Sequence, residues 1–93
     1  MSSKVGVDPF YKVVKTPLIT EKAVLQVERL GKVTLIVDMK ANKRLIKQVV
    51  EKKFGVKVKK VNTMITPKGE KKAIVTFMNK DDAMKVAVAL GIL

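Results

Sequence analysis

The stretch VKVKKVNTMITPKGEKKAIVTF, Val56 to Phe77, decides the fold. Apolar residues alternate on both sides of Thr66-Pro67-Lys68-Gly69-Glu70, so two strands joined by a tight turn are expected. The alternation slips once. Val56 and Val58 share one parity, while Val61, Thr63 and Ile65 share the other, which predicts a bulge at Lys59-Lys60. After the turn, Ala73, Val75 and Phe77 take the inward positions. The same stretch carries lysines at 57, 59, 60, 68, 71 and 72, with Glu70 as its one acid. Lysines crowded on a hairpin repel one another, and an anionic partner would relieve that.

Working outward, Asn42 to Gly55 reads as a helix. Asn42 caps its start and Gly55 its end. Leu45, Ile46, Val49, Val50 and Phe54 form its apolar stripe. Lys43 and Lys47 lie one turn apart on the outer side, with Arg44 beside them. Before it, Lys32 to Lys40 alternates as a half-buried strand, with Val33, Leu35, Val37 and Met39 on one face. Further upstream, Thr20 caps another helix that ends at Gly31. Ile19 and Val24 have the spacing of a hydrophobic staple, and Val24, Val27 and Leu30 make the stripe. After the hairpin, Asn79 opens a last helix with Asp81 and Asp82 in its first turn. Its apolar residues lie almost all round, which predicts tight docking. Residues 1–14 read as an irregular arm, with Asp8 to Phe10 turn-like.

The order is helix, strand, helix, strand, strand, helix. Short strands and a tight turn predict an α+β fold, a small mainly antiparallel sheet with packed helices. The 93 residues suit a single domain, residues 15–93 behind the arm.

Charge narrows the function. Twenty basic residues stand against 8 acidic ones, a net charge of +12. A compact chain this small with that self-repulsion points to a polyanion. Only Arg29 and Arg44 are arginines, so the basic groups are almost all lysine point charges. These suit phosphates better than bidentate reading of bases. Cys and His are absent, which excludes disulfides, zinc sites built on those residues and nucleophile–histidine pairs. No cofactor or metal is expected, and no small-molecule substrate. The longest uncharged run, Val86 to Leu93, is far too short for a membrane span, so no membrane insertion is expected. Asp81 and Asp82 are the one adjacent acidic pair, and compensation of a helix N-terminus accounts for them. The glycines stand apart, without a phosphate-cradling loop. An enzyme is not expected. Aromatic residues are few, and Phe54 and Phe77 sit on core parities, so no stacking platform for single-stranded bases is visible. Structured RNA bound through its backbone fits best. A basic DNA-architectural protein or an anionic-membrane-surface protein are the alternatives.

Three segments carry a resemblance: PLITEKA, ANKRLIKQVVEKKFGVKVKKVNT and KKAIVTF. Their matching positions are Pro17, Thr20, Glu21 and Lys22; then Lys43, Ile46, Lys47, Glu51, Phe54, Val56, Val58, Val61, Asn62 and Thr63; then Lys71, Lys72 and Ala73. Over about residues 12 to 92 the chain resembles the twenty-third family of large-subunit ribosomal proteins, the universal exit-tunnel family. Phe77 stands where Leu is commoner. The resemblance implies a structural role on large-subunit rRNA at the rim of the peptide exit tunnel, in the cytoplasmic ribosome. It also implies a neighbouring ribosomal protein of the twenty-ninth family, and docking of nascent-chain factors such as the signal recognition particle. Bacterial members carry a long loop at the hairpin; the short turn here looks archaeal. The expected rRNA-binding set is Lys22, Lys40, Asn42, Lys43, Arg44, Lys47, Lys57, Lys59, Lys60, Asn62, Lys68, Lys71 and Lys72. Glu21 and Glu28 are the expected factor-docking residues.

Overall fold

The hairpin forms as the alternation predicts, and its turn is closed at both ends. The Thr66 amide donates to the Glu70 carbonyl (2.8 Å), while the Glu70 amide donates to Thr66 Oγ1 (3.2 Å). Gly69 turns the chain at φ 84°, a backbone region that other residues rarely adopt. A computed structural model describes residues 9–93. In chain order they form α1 (Pro9–Val13), β1 (Val14–Pro17), α2 (Glu21–Leu30), β2 (Lys32–Val37), α3 (Lys43–Phe54), β3 (Val58–Ile65), β4 (Lys71–Phe77) and α4 (Lys80–Ala89). The sheet runs β1-β2-β4-β3, and each neighbouring pair is antiparallel. The α+β architecture and the order of its six predicted elements are as expected; α1 and β1 come in addition.

The bulge is also present. Val58 pairs with Phe77 and Lys60 with Thr76, so Lys59 is the extra residue. It places Val58 and Val61, three positions apart, on one face, and both are buried. That face joins Val33, Leu35, Val37, Ala73, Val75 and Phe77 in one core. Ile46, Val49 and Val50 of α3 close it on one side, Ala83, Val86 and Ala87 of α4 on another. α2 lies against β2 and α4.

The helix signals act through the expected groups. Thr20 Oγ1 accepts from the Ala23 amide (3.1 Å), and Asn42 Oδ1 accepts from the Leu45 amide (2.8 Å). Gly31 and Gly55 end their helices in the left-handed region, at φ 65° and 64°. Asn79 precedes α4, but its side chain makes no capping hydrogen bond.

Five expectations are corrected. The irregular arm gives way, from Pro9 on, to ordered structure: Phe10 is only 1% exposed, and Val13 and Val14 are buried too. Three apolar side chains at that spacing suffice for one helical turn and an edge strand, and Val14 pairs with Val37. Residues 1–8, with Asp8 of the expected turn, lie outside the described residues. Second, β2 is buried on both faces rather than one. It runs between β1 and β4, and Gln26 of α2 reaches its Thr34, which is 4% exposed. Met39 has left the strand for an exposed turn. Third, the stripe of α2 is centred on Ala23 and Val27, while Leu30 is 55% exposed. A small residue does there what periodicity of large ones assigns to Leu30. Fourth, the stripe of α3 is narrower than expected: Leu45 is exposed and Phe54 half-buried. Finally, α4 is not docked all round, since Met84 and Val88 are exposed. Its two buried alanines and Val86 are narrow enough to pack close, leaving the larger side chains outside.

Candidate nucleic-acid interface

β3 is one of the two edge strands, and α3 packs against it. The joint is held by Glu51, whose Oε2 accepts from the Val58 amide (2.9 Å). Lys43, Lys47 and Glu51 are spaced by four, so they share one flank of α3. That flank therefore turns toward β3, and Lys43 and Lys47 stand exposed along it. Lys57 and Lys59 are exposed at the start of the strand, Lys60 and Asn62 further along it. The two basic groups, adjacent in the sequence, thus border one sheet edge. No acid other than Glu51 lies between Asn42 and Ile65, and its carboxylate is committed to the Val58 amide. Such a ridge of like charge, on exposed side chains, draws in phosphates.

The other expected residues are spread more widely. Arg44 is exposed on α3, and Lys40 in the turn before it. Asn42 is engaged as the α3 cap. Lys68 stands in the hairpin turn, beyond the last pair, Ile65 with Lys71. Lys71 serves the fold instead. Its Nζ donates to the Ala41 carbonyl (2.6 Å) and the Met39 carbonyl (3.4 Å). It holds the turn that leads into α3, the turn in which Asp38 Oδ1 also accepts from the Lys40 amide (2.8 Å). Lys22 of α2 and Lys72 of β4 meet across a small hollow on the opposite face of the sheet. Glu21 and Glu28 are exposed on α2, two turns apart. Glu21 borders a shallow apolar depression with Ile19, Val24 and Leu25.

Lys60, Asn62 and Lys72 of the expected set lie on the face of the sheet turned from the core; sequence reasoning passed over their neighbours there, Lys32, Thr34, Ile74, Thr76 and Met64. The signal was there, in the residues that alternate with the inward ones. It also passed over Tyr11, which is exposed, with Lys53 Nζ 5.0 Å from its ring centroid. Among the described residues, no group of three or more acidic, Cys or His side chains comes together to hold a metal, and no helix is long and apolar enough to cross a membrane.

Residues 12–91 match the sequence profile of the family described as Ribosomal protein L23. This chain belongs to that family. The L23 family groups structural proteins of the ribosome, not enzymes. A curated relative in Pyrobaculum aerophilum, the large ribosomal subunit protein uL23, is 48% identical over 80 residues, which cover 86% of this chain and 99% of the relative. The protein of the same name in Dictyostelium discoideum is 45% identical over 83 residues, 89% of this chain but 49% of the relative. The chain thus spans the archaeal relative nearly end to end and about half of the Dictyostelium one. An L23 match over both the α3–β3 joint and the hairpin includes every residue of the basic ridge.

Proposed function

We propose that this protein is a structural component of the large ribosomal subunit, that it binds rRNA at the rim of the peptide exit tunnel, and that it works in the cytoplasmic ribosome. The observation that carries the rRNA contact is the ridge of exposed Lys43, Lys47, Lys57, Lys59 and Lys60 along one sheet edge, where the one acid, Glu51, is half-buried and bonded to the Val58 amide. Family membership supplies the particle in which such a ridge has a partner. The expected rRNA set remains the proposal, with Lys71 assigned to the fold as well. A neighbouring ribosomal protein of the twenty-ninth family and nascent-chain factors such as the signal recognition particle are the proposed protein partners. Glu21 and Glu28, on the helix away from the ridge, are the proposed docking residues. The five-residue turn and the near end-to-end match with the Pyrobaculum relative support an archaeal-type member.

Filter binding separates this reading from its alternatives. The protein is titrated against large-subunit rRNA, duplex DNA of equal length and anionic vesicles at one salt concentration. Preference for the rRNA is expected. Equal or tighter binding to duplex DNA or to vesicles would overturn the proposal.

A further inference from the structure

The face of the sheet turned away from the core is chemically unlike an ordinary solvated face. Its cross-strand rows are Lys32–Thr76–Lys60, Thr34–Ile74–Asn62 and Ile36–Lys72–Met64. On the β2 side, Thr34 and Ile36 are buried; on the β3 side, Lys60, Asn62 and Met64 are exposed. Between the two lies a hollow of about 140 Å³ formed where α2 meets the sheet. Six of its lining residues matter. Ile74 and Met64 give it an apolar surface, Lys22 and Lys72 stand at its borders, and Gln26 and Thr34 form a polar wall.

That wall is oriented. Thr34, only 4% exposed, donates from Oγ1 to Gln26 Oε1 (3.2 Å). The bond uses the oxygen of the Gln26 amide and so presents its Nε2–H groups elsewhere. Apolar surface, a fixed amide and two flanking ammonium groups are the three things that a nucleotide uses: a face to cover, an edge to pair and phosphates to neutralise. A paired base cannot offer its face and its Watson–Crick edge together, but an unpaired one can. A purely apolar protein side chain would bury Gln26 and leave both lysines without a counter-charge, which is costly.

We propose that this hollow seats one unpaired nucleotide of the bound RNA, its base over Ile74 and Met64, its edge on Gln26, and its flanking phosphates on Lys22 and Lys72. The inference rests on the rRNA reading above and adds a second mode to it: the α3–β3 ridge holds backbone, while the outward face, which Lys60 of that ridge also borders, holds a base. Here Met64 and Ile74 replace the aromatic platform that the sequence lacks.

The test uses the whole protein with large-subunit rRNA transcribed in vitro. Reagents that modify Watson–Crick edges are combined with hydroxyl-radical footprinting of the backbone. Wild-type protein should protect one unpaired base. Gln26→Leu and Met64→Ala should each lose that protection and weaken binding by roughly tenfold, with the salt dependence and the backbone footprint kept. Met64 is 47% exposed, so its variant keeps the fold even where a change at Gln26 disturbs α2, and circular dichroism checks both. If the wild type binds rRNA and both variants retain the protection and the affinity, the hollow is not a base site, and the rRNA reading stands alone. If the wild type shows no preference for rRNA, the rRNA reading fails, and this inference with it.

Discussion

The Lys71 ammonium donates to the Ala41 carbonyl across 2.6 Å, a link between strand β4 and the turn that starts α3, thirty residues apart. Lys71 and Lys72 are neighbours of the same type, yet they face opposite sides of the sheet, as alternation requires. One is half-buried against backbone carbonyls and the other borders the hollow. Lys71→Met keeps the aliphatic stem and removes the donors. It should lower stability by about 1–2 kcal/mol, the usual loss for a charged hydrogen bond with a partner left behind. Lys72→Met should change stability little and weaken rRNA binding. Urea unfolding of the two variants checks the contrast, and equal destabilisation would deny Lys71 its role in the fold.

Two phenylalanines meet edge to face, Phe10 and Phe54, with ring centroids 5.3 Å apart and planes at 87°. Their burial differs: Phe10 is 1% exposed, whereas Phe54 is half-buried. Phe10→Ala should therefore cost about 3–5 kcal/mol, the range for a buried ring, and Phe54→Ala roughly half of that. Thermal unfolding should rank them in that order. The reverse ranking would show that α1 adds little to the core.

How far the sequence reaches is clear from these pairs. Alternation located the hairpin, its bulge and the inward apolar residues of β4, because period two is a strong local signal. Caps located both ends of α2 and α3, because a side-chain oxygen or a left-handed glycine acts within a few residues. Phe10 escaped, since its burial depends on α3, more than thirty residues downstream. Lys71 escaped for the same reason: nothing local tells a lysine that binds carbonyls from one that binds phosphate. The basic ridge was legible as composition on α3 and β3. Its unity was expected from their closeness in the chain, but the contact that joins them, Glu51 to the Val58 amide, was not legible. The hollow was invisible, being shared by α2, β2, β3 and β4.

Lys43 and Lys47 share the flank of α3 that turns toward β3, and both are exposed. Replacing both with Ala should leave the unfolding midpoint in place and weaken rRNA binding. Wild-type affinity should fall with salt at a log–log slope of roughly −4 to −5, as for about six neutralised phosphates. The double variant should be shallower by about 1.5. A slope that does not change would remove these two lysines from the phosphate contact.

Thr76 Oγ1 is buried with no hydrogen-bond partner, between Lys32 and Lys60 on the sheet's outward face. An unsatisfied hydroxyl in the sheet is a cost, and valine has nearly the same shape with better strand propensity. Thr76→Val should stabilise the domain by about 1 kcal/mol, read by urea unfolding. Destabilisation of that size would mean that the hydroxyl does find a partner, through water.

Glu21 stands in the first turn of α2, where a negative charge is favoured by the helix dipole to the extent of about 0.3–1 kcal/mol. That bland role accounts for the charge but not for its setting. Beside it, Ile19 and Leu25 are exposed and, with Val24, border an apolar depression of about 490 Å³. Glu28 follows two turns along the same side of the helix. Acid beside exposed apolar surface is a poor contact for RNA and a good one for a basic, partly apolar protein segment. Glu21→Lys should therefore leave assembly into the large subunit unchanged while weakening the binding of the signal recognition particle to the assembled particles. Leu25→Ala should act in the same direction without altering charge, which separates the depression from the carboxylate. Glu21→Lys particles that bind the factor with wild-type affinity would reduce Glu21 to a charge that steadies its own helix, and Leu25→Ala particles that do so would remove the depression from the contact.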